Sequence, residues 1–442
     1  MTQAKVYLVS LGCPKNLVDS ELMLGQLGLL GYAATSAIEE ADLILINTCG
    51  FIQSAVEEGI ETILEHARDP RRRSNSRLVV TGCMVQRYGT DLIAELPEVD
   101  LFVGTEDFPQ LDRLLAQGSA EKLYHRAPRF LMNSSLPRQL ATPAHRAYLK
   151  VTEGCDNRCA YCLIPSIRGP LRSRPLDDIL AEAARLDAGG VRELTLVAQD
   201  LTAYGRDLGL RDGLVELLRQ LERHCGIPWV RLLYLYPSRV SDALLETIAS
   251  SQRVVPYLDI PFQHVSDPVL HAMGRKYGQA ELEQLLTRIR RILPDAAVRT
   301  TLMVGFPGEV EEDVDLMVDF LRRQQLQHVG VFRYENEPGT RAANLSGKCP
   351  MRIKKTRYDR VMKVQREIST VLQQRYIGQV VEVLVEGGSA ESEHLLEGRT
   401  RWQAPDIDGR IYIVDGSPAP GSLTQVRITE AHPYDLVGVV SD

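Results

Sequence analysis

Cys155-Asp156-Asn157-Arg158-Cys159-Ala160-Tyr161-Cys162 sets three cysteines at a C-x3-C-x2-C spacing, just downstream of the strand-like run Ala147-Tyr148-Leu149-Lys150-Val151-Thr152. Three thiolates this close can ligate three irons of a cubic 4Fe–4S cluster, whereas such clusters usually take four cysteines. No fourth cysteine lies nearby. An iron left with an open position can bind a substrate or cofactor. A structural zinc site wants four ligands, and the nearest histidine, His145, is ten residues upstream of Cys155. Three unrelated buried cysteines would rarely fall at this spacing with an aromatic, Tyr161, directly before the third.

Working outward, residues 147–350 alternate strand-like and amphipathic segments. The pattern predicts strands over 148–152, 193–198, 230–236, 257–260, 299–304 and 329–334. Helices are predicted over 176–188, 214–224, 243–251, 282–292 and 314–325. Six units rather than eight imply an incomplete TIM-like (βα)6 barrel. A complete barrel fills its interior with side chains; an open arc leaves a lateral cleft. Sites in such folds gather at the C-terminal strand ends. There stand the cysteine stretch, Gln199 and Asp200, Tyr236-Pro237, Gln263 and His264, and Gly305-Phe306-Pro307-Gly308-Glu309. Each has a plainer reading: Glu309 favours a helix N-terminus, and His264 is a satisfied loop histidine. Arg168, Arg172 and Arg174 follow the cysteine stretch, either steadying anions or lying on the surface.

The first 125 residues repeat a theme. Predicted strands at 5–10, 43–47 and 78–80 run into Leu11-Gly12-Cys13, Thr48-Cys49-Gly50 and Thr81-Gly82-Cys83. Helical patterns follow over 17–30, 52–66 and 86–96, then a fourth strand over 100–103 and a helix near 107–115. Strands alternating with helices imply a parallel sheet covered on both faces. Ligands bind beyond the carboxyl ends of such strands, so the fold would gather Cys13, Cys49 and Cys83 at one edge. Cysteine is also a common buried hydrophobe, but three at equivalent positions point to a site. Asn16 and Asp19 read as caps of the first helix. Arg71-Arg72-Arg73 reads as a solvated loop, and residues 126–146, with three prolines and little periodicity, read as a linker.

Residues 351–377 form a basic helical pattern, and from Gly378 short alternating segments (380–385, 411–414, 423–428) with glycine turns predict a small antiparallel β-barrel. Residues 378–442 hold eleven Asp/Glu and four Arg, so the whole net charge of −7 sits there. Nucleic-acid binding relies on Lys and Arg neutralising phosphates, so this balance argues against direct nucleic-acid contact. An acidic face suits a basic protein partner, or is only a soluble surface. Trp402 is either a partner contact or part of the small core; Cys225 and Cys349 read as incidental. The chain carries eight cysteines, no signal-peptide pattern and no apolar run near the roughly 18 residues of a membrane span. That combination points to a reducing, cytoplasmic setting and away from membranes.

The 155–162 stretch resembles the cluster motif of radical S-adenosylmethionine enzymes, in which an aromatic, here Tyr161, precedes the last cysteine. The resemblance implies that the open iron chelates the amino and carboxylate groups of S-adenosylmethionine, whose reductive cleavage yields a 5′-deoxyadenosyl radical. It places Tyr161, Gln199, Asp200, Gly305 and Glu309 at the cofactor. Many family members read Gly-Gly-Glu where this chain reads Gln199-Asp200, so their roles here are open. The order of parts resembles the methylthiotransferases along essentially the whole chain: an N-terminal α/β domain (1–125), a linker (126–146), a radical core (147–350), a connecting helix (351–377) and a barrel similar to the TRAM module (378–442). In that family Cys13, Cys49 and Cys83 would hold a second 4Fe–4S cluster whose open iron carries the methylthio sulfur.

Two branches of the family differ in substrate. Ser10-Leu11-Gly12-Cys13-Pro14-Lys15-Asn16-Leu17-Val18-Asp19-Ser20-Glu21 looks like the branch that modifies the β-carbon of an aspartate in small-subunit ribosomal protein S twelve; the tRNA-modifying branch typically has Gln after this Cys. Glu153-Gly154-Cys155, Gln199-Asp200 with Ala203-Tyr204-Gly205, and Leu258-Asp259-Ile260-Pro261 look the same way. The resemblance implies a basic ribosomal protein, free or in the small subunit, as partner, and an electron-donor protein. The alternatives are a tRNA adenosine methylthiotransferase and, in another class, a non-catalytic iron–sulfur redox scaffold. No Ser-His-Asp or paired-carboxylate arrangement stands out, and a radical route needs none.

Overall fold

Continuous Val/Ile/Leu runs bury both faces of a strand, which is the pattern of a parallel sheet. The computed structural model describes residues 3–116, 121–392 and 394–441. Its first sheet is parallel throughout and contains β1 (Lys5–Ser10), β2 (Ala33–Thr35), β3 (Leu43–Thr48), β4 (Arg77–Gly82), β5 (Leu101–Val103) and β6 (Leu123–Tyr124), in the order β2-β1-β3-β4-β5-β6. The short edge strands β2 and β6 escaped the sequence reading. Helices α1 (Pro14–Leu29), α2 (Gln53–Arg68) and α3 (Cys83–Tyr88) follow β1, β3 and β4. The single helix expected over 86–96 is two, Cys83–Tyr88 and Asp91–Glu95, divided at Gly89 with φ +53°.

The central unit begins with β7 (Arg146–Lys150), followed by a small antiparallel pair, β8 (Thr152–Glu153) and β9 (Arg172–Ser173). It continues with β10 (Glu193–Val197), β11 (Trp229–Leu232), β12 (Val254–Asp259), β13 (Ala297–Val304) and β14 (His328–Arg333). β7 and β10–β14 form one parallel six-stranded sheet in sequential order, the (βα)6 arc. The strand expected over 230–236 stops at Leu232, because Tyr234 turns the chain with φ +65°.

The C-terminal unit closes into a five-stranded barrel: β15 (Val380–Gly388), β16 (Leu396–Thr400), β17 (Ile411–Asp415), β18 (Leu423–Ala431) and β19 (Leu436–Val440). One pair, β17–β19, is parallel, so the barrel is not purely antiparallel.

The three units share cores. Apolar side chains of α1 (Val18, Leu22, Met23), of the central sheet (Tyr148, Trp229, Tyr257) and of the barrel (Leu384, Ala404) belong to one cluster. Because α1 packs against β7, the side of the arc expected to stand open beside its first strand is covered. The barrel sits at the other end of the arc, near the strand starts. Arg146 donates to Asp406 at 2.9 and 3.0 Å, the Tyr257 hydroxyl to Asp408 at 2.6 Å, and Arg399 pairs with both Glu193 and Glu386. Four of the barrel's acidic residues, Glu382, Glu386, Asp406 and Asp408, thus meet partners on the core, whereas Glu391, Asp415 and Glu430 are exposed away from these contacts.

The segment 126–146 is irregular but firmly fastened. Arg138 bonds Glu21 on α1 at 2.6 Å, Glu182 at 2.5 Å and the Tyr148 carbonyl at 2.7 Å.

Candidate active site

Register gathers the first cysteine triplet. Ser10 lies opposite Asn47, and Thr48 opposite Gly82. Cys49 and Cys83 thus leave adjacent strands at one level, and Cys13 sits in the turn after β1. A Cβ on Gly12, whose φ is +90°, would lie 2.9 Å from the Cys49 Cβ; one on Gly50 would lie 2.6 Å from the Cys83 carbonyl oxygen. Glycine alone lets these turns approach so closely.

The second triplet lies on the loop after β8, at the C-terminal end of the arc. The Sγ of Cys155 accepts the Asn157 N–H and that of Cys162 the Ile164 N–H, both at 3.4 Å. The loop is held from three sides. Ala160 N–H donates to Met273 O, and Ala342 N–H to Ala160 O, each at 2.8 Å. Asn157 donates to Asp200 at 2.7 Å, and Arg239 pairs with Asp200 while donating to Asn157 at 3.0 Å.

Both triplets have the chemistry a cluster requires. Burial pushes the Cys83 and Cys162 thiols up to about 12 and Cys155 to about 11, and raises Cys49. Iron held here would have to displace those protons, and the N–H donors at Cys155 and Cys162 would then steady thiolate charge. No three His, Cys, Asp or Glu among the described residues converge on a single metal ion. A cubane binds each thiolate at a different iron, so its ligands stand further apart than those of one ion.

Arg168 ends the short helix Ile164–Arg168 that follows the second triplet, yet its guanidinium reaches the first. Nε and Nη2 lie 3.3 and 3.2 Å from the Cys83 Sγ, Nη2 donates to Asn16 at 2.5 Å, and Nη1 to Asp19 at 2.6 Å. Lys150 pairs with Asp19 and Glu153, completing a buried group of two cations and two carboxylates. Burial alone would raise the Asp19 carboxyl; Lys150 and Arg168 outweigh it and hold it below its ordinary value. Asn16 and Asp19 are therefore not helix caps: the residue preceding α1 is Cys13, with no side-chain cap bond. Arg174 is likewise buried, on Asp178 and Glu182.

The residues expected at the cofactor fall into two groups. Tyr161 lies within the cysteine loop, and Asp200, which follows Gln199 just after β10, bonds that loop through Asn157. Tyr161 is half-buried, with the Arg275 guanidinium 5.9 Å from its ring centroid. Gln199 is half-buried; Asp200 is buried and tied to Asn157, Thr202 and Arg239. Gly305 and Glu309 support each other. Both Glu309 carboxylate oxygens accept the Gly305 N–H, at 2.8 and 2.9 Å, and Arg357 bonds Glu309 at 2.7 Å. Gly305, with φ +77°, has no room for a side chain because Lys354 of the helix Met351–Gln373 lies over it. Glu309 thus shapes the turn from behind. Sequence reasoning missed Lys150, Arg239 and Arg275, and noted Glu153 only within the family-like Glu153-Gly154-Cys155. Only Lys150, a charge inside the apolar run 147–151, left a legible signal.

Residues 5–104 match uncharacterized protein family UPF0004, residues 149–321 the radical SAM superfamily, and residues 377–440 the TRAM domain. The chain is 50% identical over 440 residues to the ribosomal protein uS12 methylthiotransferase RimO of Desulfotalea psychrophila, covering 99% of each. It is 47% identical to the protein of that name from Geobacter sulfurreducens, covering 99% of this chain and 98% of the relative. Among solved structures, the radical S-adenosylmethionine methyltransferase TsrM of Kitasatospora setae, with cobalamin and a [4Fe-4S] cluster bound, superposes with a TM-score of 0.56 at 15% identity over 77% of each chain. The cobalamin-dependent S-adenosylmethionine radical enzyme OxsB superposes with a TM-score of 0.53 at 12% identity, over 83% of this chain and 56% of that one. These two likenesses concern the fold alone. With near-complete coverage by relatives at about half identity, two cysteine triplets and a closing barrel, the chain belongs to the RimO family of radical S-adenosylmethionine methylthiotransferases.

Proposed function

We propose that this chain methylthiolates the β-carbon of an aspartate in ribosomal protein uS12, with Cys155, Cys159 and Cys162 holding the 4Fe–4S cluster that receives S-adenosylmethionine and Cys13, Cys49 and Cys83 holding a second. The bound groups would supply reductive cleavage of the sulfonium, which generates the hydrogen-abstracting radical, and a methylthio sulfur for transfer. The chain's own residues position these groups. Asn157, Asp200 and Arg239 fix the cysteine loop that carries Tyr161, and Glu309 backs the Gly305 turn that follows β13. The observation that carries the reading is Arg168: it follows one triplet in sequence and bonds the Cys83 thiol of the other in space, which ties the two thiol sets together. A basic uS12, free or in the small subunit, is the partner, with an electron-donor protein, in the cytoplasm. No helix among the described residues is long and apolar enough to cross a membrane.

The test is anaerobic reconstitution followed by incubation with dithionite, S-adenosylmethionine and uS12. Iron reaches about eight per chain, falling to about four in Cys13→Ala; 5′-deoxyadenosine forms, and the protein gains one methylthio group by mass. Modification of tRNA adenosine with none on uS12 would refute the substrate. Absence of 5′-deoxyadenosine would leave only the redox scaffold.

A further inference from the structure

Lys15 stands out on α1. Its residue is 7% exposed, and its ammonium makes no ion pair among the described residues. Nζ has one carbonyl, that of Ala198 at 3.4 Å, and lies 3.7 Å from the centroid of the Tyr234 ring. An ammonium has three donors, and a buried cation without a paired charge is costly. Nearby buried cations differ: Lys150, Arg168 and Arg138 each have carboxylates.

Its position adds to the anomaly. Lys15 is two residues from Cys13, so it belongs to the first triplet. Ala198 follows the end of β10 and precedes Gln199 and Asp200, so the ammonium also touches the radical end of the arc. Tyr234 is held in the left-handed region at φ +65°, its N–H on Asp259 at 3.0 Å and its carbonyl accepting the Leu201 N–H at 3.0 Å. Such a conformation persists where surroundings enforce it. It sets the ring face against Lys15.

We infer that Lys15 is the substrate-specificity residue, its ammonium receiving the side-chain carboxylate of the aspartate to be modified. This rests on the proposed function. A carbon that loses hydrogen to a radical made at one triplet and gains sulfur from the other must lie between them, and Lys15 spans that interval. An aspartate at that place brings its carboxylate one bond from the reacting carbon. A nucleobase substrate would bring no anion there. The other available carboxylate is that of S-adenosylmethionine, and the experiment separates the two.

Binding of two uS12 peptides, one with the target Asp and one with Asn in its place, is measured on anaerobically reconstituted wild type, Lys15→Met and Lys15→Arg. S-adenosylmethionine affinity and iron content are measured in parallel. Wild type should prefer the Asp peptide about tenfold or more, the range of a charge-assisted hydrogen bond. Lys15→Met should lose that preference by weakening the Asp peptide alone, and Lys15→Arg should keep part of it, with iron near eight per chain and S-adenosylmethionine affinity unchanged. Equal weakening of both peptides would mean a structural role and overturn the inference. So would an unchanged preference, or a loss of S-adenosylmethionine affinity instead. If Lys15→Met fails to load iron, the wild-type comparison decides: no Asp preference overturns the inference. Wild type that binds both peptides but modifies neither refutes the proposed function itself.

Discussion

Arg168→Met keeps most of the side chain's apolar stem and removes its charge. In the intact protein Arg168 and Lys150 balance Asp19 and Glu153, all four buried. The substitution leaves two carboxylates sharing one ammonium, and takes both N–H donors from the Cys83 sulfur. Breaking a buried pair typically costs about 3–5 kcal/mol, and ~3 kcal/mol is more than a hundredfold in an equilibrium. Urea unfolding of the reconstituted protein, followed by circular dichroism, should show a loss of that size. Asp19→Asn in the same chain restores a one-to-one balance of Lys150 with Glu153. The double variant should therefore recover at least about half of the loss, a coupling of the size expected for residues in one network. Iron analysis adds a second axis: Arg168→Met should lose iron from the Cys13 triplet first, tending toward about four per chain. Additive single losses, or iron lost equally from both triplets, would refute the view that Arg168 binds the two together.

Gly12→Ala must fit a methyl 2.9 Å from the Cys49 Cβ at φ +90°; it should lower iron to about four per chain while the electron paramagnetic resonance signal of the cluster at Cys155, Cys159 and Cys162 persists. Gly305→Ala collides with Lys354 and should weaken S-adenosylmethionine binding about tenfold or more, read by equilibrium dialysis. For Glu386, burial raises the carboxyl, but His145, Arg399 and Arg146 together bring it down to about 2. Its folded value is thus below its unfolded value near 4.5, so its stabilisation is full above that pH and is lost as pH falls toward 2. Glu386→Gln should therefore be less stable than wild type by the same margin at pH 8 and pH 6, with the gap narrowing below about 4.5 in urea titrations.

The periodic elements were legible because their side chains obey one environment each. Val/Ile/Leu runs such as Leu43–Thr48 can only be buried strands, and the cysteines after them follow from register. The C-x3-C-x2-C loop was legible from spacing alone. What failed was the reading of polar residues on α1. Asn16 and Asp19 look like capping residues near a helix start, but this helix is covered by the first sheet on one side and by β7 on the other. Its polar side chains are paired with partners more than a hundred residues away, such as Lys150 and Arg168. Local sequence carries no trace of such partners. The same holds for the acidic barrel: net charge was correctly read, but Asp406 and Asp408 face Arg146, Tyr257 and Arg299. Composition counts charges without saying which are already neutralised.

Helix α1 has a mechanical consequence. Cys13 precedes it, Lys15 and Asp19 reach across to the arc, and Glu21 takes the clamp from Arg138. At ~1.5 Å of rise per residue, Cys13 to Asp19 is about 9 Å of stiff rod. The rod acts as a gauge block between two workstations: they cannot close on each other like a jaw, so whatever passes between them crosses a fixed gap. One inserted residue within this stretch would turn everything downstream by about 100° and put Asp19 and Glu21 on the wrong sides at once. The length of α1's opening turns should therefore tolerate substitution far better than insertion.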